Sequence, residues 1–292
     1  MIATLDAVDK GMLAARRWVQ TGVRDVLSDT IMKLMEDLQL RSAEPLATVL
    51  IQAIDHDLWP ETATVAVDWV DGFKGELPPE RRDTTSPELW MERFSPELHR
   101  AADHVRSLGI RRVRIDGAFR LATAIHAGYV FSDVRGFRVD VPGRSGDGTW
   151  TGDISADGSR LNPTLTRTDH PLGRGQELAV GLNVSGDLTA AVLRHLSNVS
   201  TPVEQLTVLS VPTVARDALA DPAEVRGWAE TVTDALRALG EDGWPRIHVF
   251  LYGPRAAGVL LGHHWNRMPP NQLWDDLGPG RGYVPAFAIP SA

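Results

Sequence analysis

Arg112-Val-Arg-Ile-Asp-Gly-Ala-Phe-Arg-Leu-Ala-Thr-Ala-Ile-His-Ala-Gly-Tyr129 reads as a buried strand, a glycine turn, an arginine and a short apolar helix that ends on an aromatic. His248-Val-Phe-Leu-Tyr-Gly-Pro-Arg-Ala-Ala-Gly-Val-Leu-Leu-Gly-His-His-Trp265 reads the same way. In this alignment Gly117 and Gly253 mark the turns, and Arg120 and Arg255 follow them within one residue of each other. A duplicated strand–glycine–arginine–helix unit implies two half-sites facing one ligand. Such a site suits a cyclic or repeated anion better than an asymmetric substrate.

Working outward, the elements repeat as well. Ala63–Val70, Arg112–Asp116, Gly136–Val141 and 148–152 read as strands of a first half. Glu177–Val184, Gln205–Val211, Ile247–Tyr252, Gln272–Asp275 and Tyr283–Ala288 read as strands of a second. Helices are expected over Pro96–Leu108, ended by Gly109, and over Pro222–Leu239, ended by Gly240. A further helix is expected over Asp187–Leu196, capped by Ser185. Residues 5–38 carry an apolar stripe at helical spacing, and Leu46–Ile54 is read as another helix. The polar stretch 153–175 is the expected boundary between halves.

Strands alternating with helices predict an α/β fold with right-handed crossovers and mostly parallel sheets flanked by helices. The expected organisation is an N-terminal helical segment (1–60), a first Rossmann-like unit (61–160) and a second (176–292). Ligands of such sheets bind beyond the carboxyl ends of the strands, at helix N-termini. That rule singles out Asp71, Gly72, Ala118, Phe119 and Arg120 in the first unit. In the second it singles out Ser185, Thr213, Gly253, Pro254 and Arg255, and Tyr252 at the end of the preceding strand is a further candidate ligand residue.

Composition excludes several classes. The 292 residues contain no cysteine, so there is no disulfide framework, thiolate metal site or cysteine nucleophile. The cysteine-free sequence fits a cytoplasmic protein. No apolar run is long enough to span a bilayer, and a net charge of −8 argues against binding duplex nucleic acid. Lys10, Lys33 and Lys74 are the only lysines; the other cations are arginines, whose planar forks match phosphate oxygens. Adjacent His263 and His264 point apart in a regular element, so no metal site is expected. No cofactor or catalytic motif is found: Gly253-Pro-Arg-Ala-Ala-Gly258 lacks the middle glycine of a dinucleotide fingerprint.

Arg120 and Arg255 are the candidate phosphate ligands, aided by helix N-terminal N–H groups. The tail after the second unit's helix supplies His264, Trp265 and Arg267. Trp265 either stacks on a base or belongs to the core; Arg267 offers a phosphate or stacking contact. Lys74 lies in a Pro-rich loop, Asp71–Pro87, placed to cover a pocket.

The segments Val113–Ala124, Ala127–Phe131, Gly148–Thr151, Glu177–Ser185 and His248–Gly262 together resemble the SAVED domain family over roughly residues 60–292. The resemblance implies two fused CARF-like units that sense cyclic oligonucleotides in bacterial anti-phage systems, either cyclic-oligonucleotide-based (CBASS) or type III CRISPR. It implies a cyclic tri- or tetranucleotide ligand and head-to-tail self-association on binding it. It further implies an effector, carried on a separate chain or fused in the native gene. A ring nuclease-like enzyme that cleaves its own ligand is the competing expectation.

Overall fold

The computed structural model describes residues 45–57, 59–142, 149–151, 163–219 and 221–291. The helix expected over 5–38, and residues 153–162 of the polar stretch, lie outside the described residues.

The first sheet is built from β1 (Leu46–Gln52), β2 (Val65–Asp68), β3 (Arg112–Ala118), β4 (Arg138–Pro142) and β5 (Thr149–Thr151). Its order is β2-β1-β3-β4-β5, parallel except for β5. Helix α1 (Ser95–Ser107) links β2 to β3, and α2 (Leu121–Val130) links β3 to β4. The second sheet comprises β6 (Thr166–Pro171), β7 (Glu177–Asn183), β8 (Val203–Ser210), β9 (Ile247–Tyr252), β10 (Asn271–Asp276) and β11 (Tyr283–Ile289). Its order is β11-β10-β9-β7-β8-β6, with β6 and β11 antiparallel. Helix α3 (Thr189–Asn198) links β7 to β8, α4 (Pro222–Glu241) links β8 to β9, and α5 (Arg255–His263) links β9 to β10. With β6 set aside, the two sheets share one topology. The second, first, third and fourth strands run parallel in that order, and a fifth returns antiparallel.

Two sequence readings need correction. Leu46–Ile54 is not a helix: it is β1, paired on both sides, so the first sheet starts before residue 61. Leu-Ala-Thr-Val-Leu-Ile-Gln is apolar on both faces because neighbours cover both, and a run without alternation does not reveal its period. The polar stretch before Gly175 also contains a strand, β6, whose exposed residues form one edge of the second sheet. At the opposite extreme β2, the edge of the first sheet, exposes Ala66 and Asp68.

Local chemistry explains the helix ends. Asp221 caps α4: its carboxylate accepts from the Ala223 N–H at 2.7 Å while the Glu224 carboxylate accepts from the Asp221 N–H at 3.3 Å. Pro222 opens the helix, where its missing N–H costs nothing. Gly109, at φ 74°, closes the end of α1 as expected. Ser185 does not cap α3: Leu188 holds the cap position, and Asp187 just before it accepts from Thr189 N at 2.9 Å.

One continuous core runs through both units. Its centre is the packing of α2 on α5, the most extensive between any two helices among the described residues. The units also interlock beyond that pair. Phe287 of β11 stacks on His126 of α2 at 4.1 Å and meets Trp90 edge-on at 4.9 Å. A smaller core lies on the far face of the second sheet, where Leu188, Val192 and Leu196 cover Phe250 and Trp274.

Candidate functional site

The units are equivalent down to single hydrogen bonds at the carboxyl ends of their strands. In β1, the carbonyl of Ala118 accepts from the N–H groups of Ala53 and Ile54 as the chain leaves the strand. In β7, the carbonyl of Tyr252 accepts from Val184 and Ser185 in the same way. Gln52 and Asn183 are the last strand residues before these turns, and both are buried. The Gln52 side-chain carbonyl accepts from Asp57 N at 2.6 Å, and that of Asn183 accepts from Leu188 N at 3.0 Å. Each amide replaces the peptide partner that the chain loses on turning away from the sheet. The linear signal is a carboxamide, Gln52 or Asn183, ending the first strand of each unit.

The same equivalence shifts the alignment of the repeats. Gly128 matches Gly262 and Ile125 matches Val259, because each glycine abuts the other helix at those residues. Arg120 then occupies the cap position of α2 and Pro254 that of α5, while Arg255 is the first residue of its helix. Gly117 and Gly253 are not equivalent. Gly117 lies within β3 at φ 117°, where a Cβ would lie 2.2 Å from the Ile51 carbonyl oxygen.

The N-termini of α2 and α5 meet. The Arg255 guanidinium lies over the Phe119 ring, 4.9 Å from its centroid, so an arginine of one unit stacks on an aromatic of the other. Phe119 is 4 % exposed, a fixed platform. Burial pushes the Arg255 pKa below its ordinary value, with Asp116 pulling it back. Among the described residues that guanidinium makes no hydrogen bond or ion pair. Toward the described residues its donors are therefore preorganised and unspent.

Arg120 is differently engaged. Its Nη2 and Nε donate to the Arg81 carbonyl at 2.6 and 3.2 Å. Arg81 in turn donates to the Ile54 carbonyl at 2.8 Å, tying the covering loop to the end of β1. Arg82 of this loop lies along Gly278 of the second unit. Asp275 of β10 is 2 % exposed and lies against the first turn of α2. Burial pushes its carboxyl up to about 7, against the pull of Arg120 and of the Ala122 N–H. Arg81, Arg82 and Asp275 belong to this cluster, and nothing in the linear sequence places them beside Arg120.

Tyr252, at the end of β9, is 49 % exposed, and its ring packs over Gly186. Pro254 is buried as the α5 cap residue, and Thr213 is exposed on the loop after β8. Lys74 is exposed and pairs with Asp83 at 2.6 Å, so its charge is locally matched.

The remaining three residues lie at the other end of α5. A nine-residue helix separates its termini by about 13 Å. His264 pairs there with Asp133 of the first unit at 3.6 Å, holding the Asp133 carboxyl below its usual range. Arg237 clamps the turn by donating to the Asn266 side chain at 2.5 Å and to the His264 carbonyl at 3.4 Å. Trp265 is 2 % exposed within the main core, so no base reaches its ring. It aligns with buried Phe131, not with Tyr129. Arg267 is exposed at φ 53°. These residues do not join the Arg255 site. A surface groove beside β2, lined by Val67, Glu97, Arg100 and His104, contains none of the singled-out residues. No helix among the described residues is long and apolar enough to cross a membrane, and no group of three metal-ligating side chains is found among them.

Comparison with solved structures supports the fold. Cap4 SAVED/CARF-domain receptor from Acinetobacter baumannii, with the cyclic trinucleotide 2'3'3'-cAAA, is 17 % identical, with a TM-score of 0.67. The match covers 90 % of this chain and 55 % of that one. The same receptor with 3'3'3'-cAAA gives the same identity and TM-score over 89 % of this chain and 55 % of that one. The Moraxella osloensis Cap4 SAVED/CARF-domain receptor is 16 % identical with a TM-score of 0.61, over 89 % of this chain and 53 % of that one. The chain thus spans little more than half the length of these receptors. No curated protein matches it. The family profile of SAVED, the SMODS-associated and fused to various effectors sensor domain, matches residues 93–289. With that match over most of its length, and two sheets of one topology joined through α2 and α5, the chain belongs to the SAVED family of sensor domains.

Proposed function

We propose that this chain senses a cyclic oligonucleotide, a tri- or tetranucleotide, and passes the signal to an antiviral effector. The observation that carries the reading is the Arg255 guanidinium: desolvated, stacked on Phe119 across the unit boundary, and without a hydrogen-bonding partner among the described residues. A partly buried cation with free donors at a helix N-terminus suits a phosphate. Tyr252, whose ring packs over Gly186 at the end of β9, offers an exposed stacking surface for a base. The Acinetobacter baumannii Cap4 receptor of like fold holds cyclic trinucleotides, the chemistry that a free arginine fork and an exposed ring fit.

The domain acts as a ligand-sensing module and not as an enzyme. Signalling proceeds by head-to-tail self-association or by rearrangement of an effector on the same or another chain. Heterologous contacts between pseudo-symmetric units generate such open assemblies.

The test is a thermal-shift and calorimetric panel of cyclic di-, tri- and tetranucleotides against the wild type and Arg255→Gln, with sedimentation of the ligand-bound protein. Selective stabilisation by one ring, lost in Arg255→Gln, is expected. No shift with any ring would remove the reading. Recovery of a linearised ligand after incubation would favour a ring nuclease instead.

A further inference from the structure

Arg120 spends its fork inside the protein. Its Nη2 and Nε converge on one acceptor, the Arg81 carbonyl, at 2.6 and 3.2 Å. Turning to a phosphate would cost it both bonds. What this pair holds is the covering loop. Arg81 fastens the loop on two sides: its carbonyl is held by Arg120 at the start of α2, and its Nη1 donates to the Ile54 carbonyl at 2.8 Å where the chain leaves β1. Arg81 thus bridges the carboxyl ends of β1 and β3, where ligands of such sheets bind. The loop is also closed on itself. Arg81 Nη2 donates to the Glu76 carbonyl at 2.6 Å, and the Glu80 carboxylate accepts from the N–H groups of Glu76 and Leu77 at 3.1 and 3.2 Å.

Arg82, the next residue, is placed by this fastening. Its Nε donates to the Pro79 carbonyl at 3.2 Å. Its side chain runs along Gly278, in the turn between β10 and β11 of the second unit, where a Cβ would lie 3.1 Å from its Cδ, Nε and Nη1. Among the described residues its terminal nitrogens make no hydrogen bond or ion pair. In that turn the Asp276 carboxylate accepts from Gly278 N at 2.8 Å. The units therefore exchange arginines around the N-terminus of α2. Arg255 of the second unit lies on Phe119, and Arg82 of the first, tied through Arg81 to neighbouring Arg120, lies on the second unit's turn.

We infer that Arg82 is the first unit's phosphate ligand, and that Arg120 is a positioning residue that presents it by latching the covering loop through the Arg81 carbonyl. The inference rests on the sensor reading, since Arg82 has this role only if an anionic ring binds. The pairing of Arg120 with Arg255 suggested by the sequence repeat gives way to a pairing of Arg82 with Arg255, one arginine from each unit, each with unspent donors for a phosphate.

Trypsin, which cuts after Lys74, Arg81 and Arg82 in the loop, reads the latch without a ligand. Nicking there, located by mass spectrometry, is expected to be about tenfold faster in Arg120→Gln than in wild type, the scale of one charged hydrogen-bonded contact. Arg120→Lys keeps one donor for the Arg81 carbonyl and is expected to fall between them; it replaces Arg120→Gln in both measurements should that variant fold poorly. The panel of cyclic di-, tri- and tetranucleotides supplies the binding probes, read by calorimetry. Arg82→Gln and Arg120→Gln are each expected to weaken the ring that binds the wild type about tenfold. The double variant is expected to bind no worse than Arg82→Gln alone, because Arg120 acts through the loop. Losses that add to about a hundredfold would make Arg120 a direct ligand and overturn the inference. So would unchanged affinity in Arg82→Gln, or unchanged nicking in a cooperatively folded Arg120→Gln. A wild type that binds no ring, while Arg120→Gln is nicked faster, removes the sensor reading and Arg82's part in it and leaves the latch standing.

Discussion

Gly128 and Gly262 are pressed against each other's helices in reciprocal fashion. A Cβ on Gly128 would lie 2.0 Å from the Val259 carbonyl oxygen, and one on Gly262 would lie 1.9 Å from that of Ile125. The two units are therefore joined by backbone-to-backbone approach of α2 and α5, related by a local pseudo-two-fold. Arg255 on Phe119 marks one end of this pair of helices, and His264 beside Asp133 marks the other.

Alanine at either glycine tests this joint. In an ordinary helix interior, Gly→Ala adds about 1 kcal/mol of stability. Here the sign reverses, because the obstructing atoms are backbone and cannot swing aside. Gly128→Ala and Gly262→Ala are each expected to cost about 2 kcal/mol or more. Chemical denaturation measures it; a stability equal to or above wild type would contradict the packing.

Arg255 separates binding from folding. Its guanidinium has no hydrogen bond to lose among the described residues, so Arg255→Gln is expected to leave Tm nearly unchanged or slightly raised. Binding of the cognate ring is expected to weaken roughly tenfold or more, the scale of one charged hydrogen-bonded contact. Arg255→Lys keeps the charge but loses the fork and the flat face, and falls between them. Calorimetry and thermal unfolding of the same samples read both quantities.

Asn183 tests the equivalence of the strand ends. It is buried, accepts from Leu188 N, and donates to Asp187 and to the Ser210 hydroxyl at 3.0 and 3.2 Å. Asn183→Ala strands the Leu188 N–H at the start of α3 and is expected to cost about 1–3 kcal/mol. Gln52→Ala, which strands the Asp57 N–H, is expected to act in the same direction. Hydrogen exchange at Leu188 and Asp57 reports each loss locally.

Asp275 gives the stability a pH signature. Its carboxyl is raised to about 7 in the folded protein, facing Arg120, Arg82, Asp276 and the Ala122 N–H. A carboxyl raised on folding binds more protons in the native state than in the unfolded one between their two pKa values. Its contribution is therefore fully present below the unfolded carboxyl pKa of about 4 and is lost as pH rises toward 7. The difference in unfolding free energy between wild type and Asp275→Asn is expected to shift against wild type across that window and to level off above it. A difference that is flat with pH would show that Asp275 is ionised throughout.

The sequence by itself determined the duplication, the alternation of strand and helix, and the parallel arrangement that follows from it. These are properties of local periodicity and of turn residues such as Gly109 and Pro222, which act on their own neighbours. It also indicated that Arg120, Arg255 and Tyr252 end up at strand ends, because that rule depends only on chain order. Tertiary structure decided what local pattern does not encode. Leu46–Gln52 became a strand because neighbours cover both of its faces. His264, Trp265 and Arg267 were carried to the far end of α5, since a helix moves its ends apart however close they are in sequence. Arg255 came to lie on Phe119, and Asp275 to be buried where β10 packs on α2, through docking of one unit on the other. Contacts between side chains more than 130 positions apart are set by packing, and a single sequence carries no periodic trace of them.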